Sequence, residues 1–423
     1  MDRPGMKFDL GEGSAAAGFT PVAKSSMYTD AAGYGFEKTT SLTERGTDNA
    51  KADDDYISSD KPFYFSVKLP EGNYDVRITV GDREGTSDLA IRAECRRMLA
   101  ERIITQKGEI KTLQYTVHIR DTLIHSTGNK VRIKERERAF LHWDNKLTLE
   151  FNGIAPKIRA IEIIPAGSDV INVFLAGNST VVDQDKEPYA AWGQMIPAFF
   201  EPGKVAIANY AESGESLSSF IAARRFEKVL SLMKRGDYAF VEFGHNDQKQ
   251  RGEGIGAFSS YKRDLKFFIS EVRKKGGIPV LVTSMHRRNF DSTGKINQTL
   301  GDYPEAVRQT AKEEGTVLID LNMQSKILYE SWGPVESKKA FVIYPANTFP
   351  GQKTALEDNT HFNPYGAYEI ARIIVSGIRQ NNLGLAKFIR KDVTPFNPAN
   401  PDPVAQLYWP LSPSMASVKP DGN

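Results

Sequence analysis

A chain of 423 residues is too long for one ordinary domain, so two domains are the natural expectation. Hydrophobic residues at 40 % and charged residues at 26 % exclude a mainly disordered chain. The 55 Lys and Arg nearly cancel the 53 Asp and Glu, and a net charge of +2 leaves neither nucleic acid nor an anionic membrane as the main partner.

The opening "MDRPGMKFDL" lacks the apolar core of a signal peptide, so an intracellular protein or the processed form of an exported one is expected. No apolar run approaches the length of a membrane span. Residues 1–166 mostly alternate with a period of two. In "FYFSVKLPEGNYDVRITVGD" Phe63, Phe65, Val67 and Leu69 share a face, Val76, Ile78 and Val80 repeat the pattern, and the Pro-Glu-Gly-Asn between them predicts a hairpin turn. "LAIRAECRRMLAER" fits helix or strand; it holds Cys95, the only cysteine, so no disulfide framework or cysteine-built metal site is expected. Leu113, Tyr115, Val117 and Ile119 alternate, as do Leu147, Leu149 and Phe151. Between them the basic run "RIKERERAF" is interleaved with glutamates and predicts a solvated loop or edge strand. Short alternating strands with little else predict an antiparallel β-sandwich.

From residue 167 to 385 the pattern changes. Near-continuous apolar strands ("INVFLAG", "KVAIANYAE", "YAFVEFGHND", "IPVLVTSM", "TVLIDL") alternate with amphipathic stretches of helical length. That grammar predicts an α/β fold with a parallel sheet covered on both faces. Ligands in such folds sit at the carboxyl ends of the strands, where "GNST", "ESGES" and "GHND" fall. "DNTHF" precedes a last helix and is expected on a loop, and the Pro/Asn-rich tail 386–423 is expected to wrap the surface or to be disordered.

Ser179, at a strand end, is a nucleophile or a turn residue; a serine needs a base to attack. His361 with Asp358 three residues before it fits a base and its orienting carboxylate, and equally a capped helix-entry loop. The amides of Ser179 and Gly214 and the side chain of Asn246 fit an oxyanion hole, or punctuation and Asx turns. His286, Arg287 and Arg288 follow the fourth strand and fit a carboxylate-binding fork or a charged strand end. Trp192 fits the core of the first helix better than a sugar platform.

These blocks together resemble the SGNH (GDSL-type) hydrolases, and "PYAAWGQMIPAFF", "FGHNDQK", "GDYPEAVRQTA" and "DNTHFNPYGA" are similar to their rhamnogalacturonan acetylesterase branch. The resemblance spans roughly 170–385. It implies a three-layer α/β/α sandwich and a triad of Ser179, His361 and Asp358. The implied oxyanion hole is Ser179, Gly214 and Asn246, with no metal or organic cofactor. His245 resembles a loop-shaping residue of that branch. The Asp usual before the serine is Asn178 here, a change of charge more than of shape. Residues 1–166 look similar to galactose-binding-like modules, which either bind sugar or shape the cleft as a structural domain. The expected function is an O-acetylesterase acting on acetylated pectic polysaccharide, periplasmic or secreted, with no nucleic-acid partner and no membrane insertion. The alternatives are an esterase on acetylxylan, lipid or thioester, and a catalytically weak carbohydrate-binding pseudo-enzyme.

Overall fold

Period-two alternation arises where two sheets face each other and every strand turns alternate residues inward. The computed structural model describes residues 5–13, 15–37, 41–45, 55–416 and 419–420. In it one amino-terminal sheet runs Ile110–Ile119, Gly72–Gly81, Lys157–Pro165, Met6–Leu10, Thr20–Val22, with Tyr56–Ser59 and Leu42–Arg45 at its side. The facing sheet runs Tyr34–Glu37, Phe63–Lys68, Lys146–Ala155, Ser87–Ala93, Arg97–Thr105. Phe63, Phe65, Val67, Val76, Ile78, Val80, Leu149 and Phe151 meet in one core between them. Pairing is antiparallel except between Met6–Leu10 and Thr20–Val22.

Two local expectations change and one open reading is decided. Residues 70–73 close no hairpin: Phe63–Lys68 pairs with Tyr34–Glu37 and Lys146–Ala155, whereas Gly72–Gly81 pairs with Ile110–Ile119 and Lys157–Pro165. The four residues carry the chain across to the facing sheet, so both alternating faces are buried against each other. "LAIRAECRRMLAER" is strand, turn and strand, and its turn puts Glu94 and Arg96 at left-handed φ of 56° and 57°. The run 132–140 is no edge strand, and it is solvated only in part, at Arg132, Glu135, Arg138 and Ala139. It contains a 3₁₀ turn, Glu135–Ala139, in which Glu137 is fully buried and paired with Arg225 of the following domain.

The first strand of the second domain begins at Ile171, six residues after Pro165. Strands β1 (Ile171–Gly177), β2 (Val205–Asn209), β3 (Tyr238–Glu242), β4 (Ile278–Val282) and β5 (Val317–Ile319) form a parallel sheet in the order β2-β1-β3-β4-β5. Helices α1 (Leu217–Ala222), α2 (Arg225–Leu232), α3 (Lys262–Lys274) and α4 (Tyr303–Glu314) pack with Phe174 and Ala176 on one face. Helices α5 (Leu321–Glu336) and α6 (Pro364–Gln380) pack with Val173 and Leu175 on the other. This is the expected three-layer α/β/α sandwich. With β1 between β2 and β3, the loops after all three strands converge at one edge. Among the described residues no helix is long and apolar enough to cross a membrane.

An antiparallel pair, β6 (Phe341–Tyr344) and β7 (Leu356–Phe362), precedes α6, so Asp358 and His361 lie on a strand and not on the expected loop. The described tail returns to the amino-terminal sheets: Arg92 bonds the Pro410 carbonyl and, at 2.7 Å, Ser412 Oγ, and Tyr408 N–H bonds Glu101 at 2.9 Å.

Candidate active site

The turn after β1 presents Ser179. A side chain at Gly177 would put its Cβ 2.4 Å from Val181, so the chain can reverse this tightly only through glycine. Asn178 Oδ1 accepts from the Thr180 amide at 3.0 Å and lies 2.9 Å from its hydroxyl, and the Asn178 carbonyl accepts from Val181 and Val182, both at 3.0 Å. Ser179 is thereby held between two bonded residues. Its Oγ lies 2.7 Å from His361 Nε2. His361 Nδ1 is 2.8 Å from Asp358 Oδ2, while Asp358 Oδ1 accepts from the amides of Thr360 and His361 at 2.8 and 3.0 Å. Burial raises the Asp358 carboxyl, but the His361 ring and these two amides outweigh it and hold the group below the usual carboxylate range. All three residues are buried, and the Tyr189 ring meets the His361 ring edge-on at 5.8 Å.

The other two candidate donors follow β2 and β3. Glu215 N–H bonds the Glu212 carbonyl at 3.2 Å, closing a β-turn whose third residue is Gly214 at φ 81°. That φ is the signature of a type II turn and is open to glycine without strain. Asn246 Nδ2 donates to the Glu215 carbonyl at 3.0 Å, which ties the Asn246 loop to the Gly214 turn and leaves its second amide hydrogen available. Asp247 anchors the same loop, accepting from Leu217 and Gly244 amides at 2.8 Å each.

Behind the serine turn lies a buried acid that sequence reasoning missed. Glu242, the last residue of β3, receives Trp192 Nε1–H at 2.8 Å and sits 3.2 Å from the Thr180 hydroxyl; burial pushes its pKa to about 7. Trp192 is core, as expected. Asn178 Nδ2 is buried without a hydrogen-bond partner among the described residues.

The expected carboxylate fork divides. Arg288 bonds Ser337 Oγ and Asn359 Oδ1, each at 2.9 Å, and the Pro334 carbonyl, so its guanidinium braces the protein and is not offered to a ligand. Arg287 lies 3.4 Å from Thr299 and 3.5 Å from the His245 carbonyl, and with the Gln248 amide oriented to satisfy both of its ends the guanidinium donates to its oxygen at 2.8 and 2.9 Å. His286 is buried; burial chiefly, with Lys326 next, lowers its pKa to about 4, so the ring is neutral. Neutral too is His245, held well below its ordinary value by burial and then by Arg287.

Other missed residues come from the amino-terminal domain. Arg97 Nε bonds Asp183 at 2.7 Å, and Arg96 bonds the Gln184 carbonyl at 2.9 Å; Gln184 in turn donates to the Ser179 carbonyl at 2.7 Å. Lys134 and Arg136 reach the Gly214 turn. The available signal was a pair of adjacent arginines inside an otherwise apolar strand–turn–strand, and a basic run with regularly spaced acids. Between the domains opens a cleft of about 900 Å³ lined by Tyr64, Phe140 and Leu141 on one side and Gln184, Tyr189 and Ser213 on the other. Among the described residues two acid–histidine clusters bring ligand-type atoms together, Glu137 with His142 and Glu212, and Glu71 with Asp121 and His125. Arg225 and Arg136 already neutralise the first and Lys228 the second, so both are better suited to ion pairing than to holding a metal.

Comparison with family models matches residues 175–367 to the GDSL-like lipase/acylhydrolase family and residues 6–127 to the beta-agarase/YXIM esterase-like, galactose-binding domain-like family. The chain is 43 % identical over 217 residues to rhamnogalacturonan acetylesterase RhgT of Bacillus subtilis (strain 168), covering 51 % of this chain and 92 % of that one. It is 31 % identical over 224 residues to the probable rhamnogalacturonan acetylesterase YesY of the same organism, covering 52 % and 98 %. A third relative there, the uncharacterized esterase YxiM, is 26 % identical over 392 residues and covers 90 % and 92 %, so the similarity runs through both domains.

Proposed function

Since the chain belongs to the GDSL-like lipase/acylhydrolase family, whose members are serine esterases, we propose that it removes acetyl groups from an acetylated pectic polysaccharide of the rhamnogalacturonan type. The observation that carries the chemistry is the unbroken chain from Ser179 Oγ through both nitrogens of His361 to Asp358, at 2.7 and 2.8 Å. In this reading His361 Nε2 takes the proton as Ser179 Oγ attacks the acetyl carbonyl. The oxyanion that forms is held by the amides of Ser179 and Gly214 and by Asn246 Nδ2. Asp358, kept ionised, holds the proton of Nδ1 and stabilises the imidazolium. His361 then protonates the sugar oxygen, the alcohol leaves, and water attacks the acetyl-serine by the same route to give acetate.

The substrate class is supported by the names of the two relatives that match the catalytic half. The interdomain cleft, with Tyr64, Phe140 and Tyr189 on its walls, is proposed to seat the sugar chain. A carbohydrate polymer substrate places the enzyme in the periplasm or outside the cell; full-length product confined to the cytosolic fraction would refute that. The decisive assay is acetate release from acetylated rhamnogalacturonan and acetylated xylan by the wild type and Ser179→Ala. Release that needs Ser179 and favours the pectic polymer is expected. Equal or greater release from xylan would overturn the substrate, and release by Ser179→Ala at the wild-type rate would overturn the mechanism.

A further inference from the structure

The Ser213–Gly214 peptide is one rigid plane: its carbonyl oxygen and the Gly214 N–H point in opposite directions because the bond is trans. Whatever fixes the Ser213 oxygen therefore aims the Gly214 hydrogen. This peptide is also the central one of the turn 212–215, and flipping it is what separates a type II turn from a type I turn. With glycine at φ 81° the two forms have no side-chain barrier between them. The turn by itself is a poorly fixed oxyanion donor.

Two cations of the amino-terminal domain remove that freedom. Lys134 Nζ donates to the Ser213 carbonyl, and Arg136 Nη2 donates to the same oxygen at 3.0 Å. Each also grips an acid flanking the glycine: Arg136 pairs with Glu212, and Lys134 with Glu215 at 3.2 Å. The segment bearing them is itself anchored. Glu137, the residue after Arg136, is fully buried and accepts from Trp143 Nε1 at 2.8 Å, from the Lys134 amide at 2.7 Å and from Arg225 of α2. A buried ion pair contributes little net stability, but it fixes register. Two cations on one carbonyl also polarise the peptide and strengthen its N–H as a donor.

We propose that Lys134 and Arg136 are positioning residues for the acyl-transfer reaction: from the neighbouring domain they hold the Ser213–Gly214 peptide in the orientation that aims its N–H at the oxyanion. The amino-terminal sandwich thus completes the catalytic centre, beyond any contact it makes with sugar. This rests on the esterase reading above.

The test is steady-state hydrolysis of a small chromogenic acetate ester, which does not fill the interdomain cleft. The proteins are wild type, Ser179→Ala, Lys134→Met, Arg136→Met, the double Met variant, Arg136→Lys, and Lys157→Met as a control. Lys157 is a partly buried lysine of the same domain whose partner is Asp82 and not a residue of the turn. In the double variant kcat should fall roughly ten- to hundredfold, about 1.4–2.7 kcal/mol of barrier, with KM within about twofold. Arg136→Lys should recover part of kcat, and Lys157→Met should lower the melting temperature without touching kcat. Loss of kcat and melting temperature together in Lys157→Met would overturn the proposal by showing a general stability effect. So would Ser179-dependent turnover indifferent to Lys134 and Arg136, and that outcome would leave the esterase reading intact. No turnover by the wild type would overturn the reading and the proposal with it. Should the double variant fail to fold, the single variants and Arg136→Lys carry the same comparison.

Discussion

Replacing Asp358 by Asn tests the hydrogen-bond chain more sharply than deleting it. Asp358 Oδ1 already accepts two backbone amides, from Thr360 and His361, so the Asn carbonyl oxygen must take that place. Its NH₂ then faces His361 Nδ1, 2.8 Å away, which becomes an acceptor; the ring proton moves to Nε2, the nitrogen 2.7 Å from Ser179 Oγ. A protonated Nε2 cannot take the serine proton. Enforcing that tautomer is expected to lower kcat by about 10³- to 10⁴-fold, roughly 4–5.5 kcal/mol of barrier. The two amides stay satisfied, so stability should fall by only about 1–2 kcal/mol. Asp358→Ala behaves differently. It strands two buried amides and Nδ1, costing about 3–5 kcal/mol of stability, yet it imposes no tautomer. The expectation is that Asn is the more stable variant and at least as inactive as Ala. Steady-state kinetics on a small acetate ester, with chemical denaturation of both variants, measures this. A folded Asp358→Asn protein within tenfold of the wild-type kcat would refute the assignment of Asp358.

Glu242 titrates near 7 in the folded protein against 4.5 for an ordinary glutamate. A raised acid holds its proton longer when folded, so its contribution to stability is full below about 4.5 and is lost as pH rises through about 7; the total is roughly 3 kcal/mol. Glu242→Gln, with the Thr180 hydroxyl turned to accept from the new amide, should flatten the decline in melting temperature between pH 5 and 8, and an unchanged slope would refute it. Asn178→Asp replaces an amide whose Nδ2 finds no partner among the described residues and keeps the oxygen that holds Thr180. Its kcat should equal or exceed the wild type's, and a tenfold loss would show that the serine turn needs the neutral side chain.

The sequence carried the fold well where one local rule decides it. Alternation at Phe63, Phe65 and Val67 and continuous apolar runs such as "INVFLAG" are direct prints of one-sided and two-sided burial, and both sheets formed where those patterns lay. The blocks around Ser179, Gly214, Asn246 and His361 were legible because each closes a strand of one parallel sheet or its neighbouring hairpin, and the structure brings Ser179, His361 and Asp358 into bonding contact. What stayed hidden was long-range partnership. Residues 70–73 have hairpin chemistry, but the sheet that receives a strand is chosen by partners such as Ile110–Ile119, beyond any local window. Arg136 and Glu137 look like an exposed charge run until their partners Glu212 and Arg225, more than seventy residues on, are seen to pair with them. Arg288 reads as a ligand fork until Ser337 and Asn359 are seen to occupy it.

The returning tail sets a clock on biosynthesis. Arg92 is fully buried; it pairs with Glu150 and stacks on the Trp409 ring at 3.8 Å, and it bonds the Pro410 carbonyl and Ser412, which lie 318 and 320 positions later. At translation rates of about 5–20 residues per second, the guanidinium waits roughly 16 to 64 s for them. The amino-terminal sandwich can assemble its sheets early, but one strand stays without its full complement of donors and acceptors until residues 410–412 have been made. The sandwich is thus sealed by residues made more than three hundred positions after it begins, and a nascent chain cut short anywhere before residue 410 lacks the partners that close it.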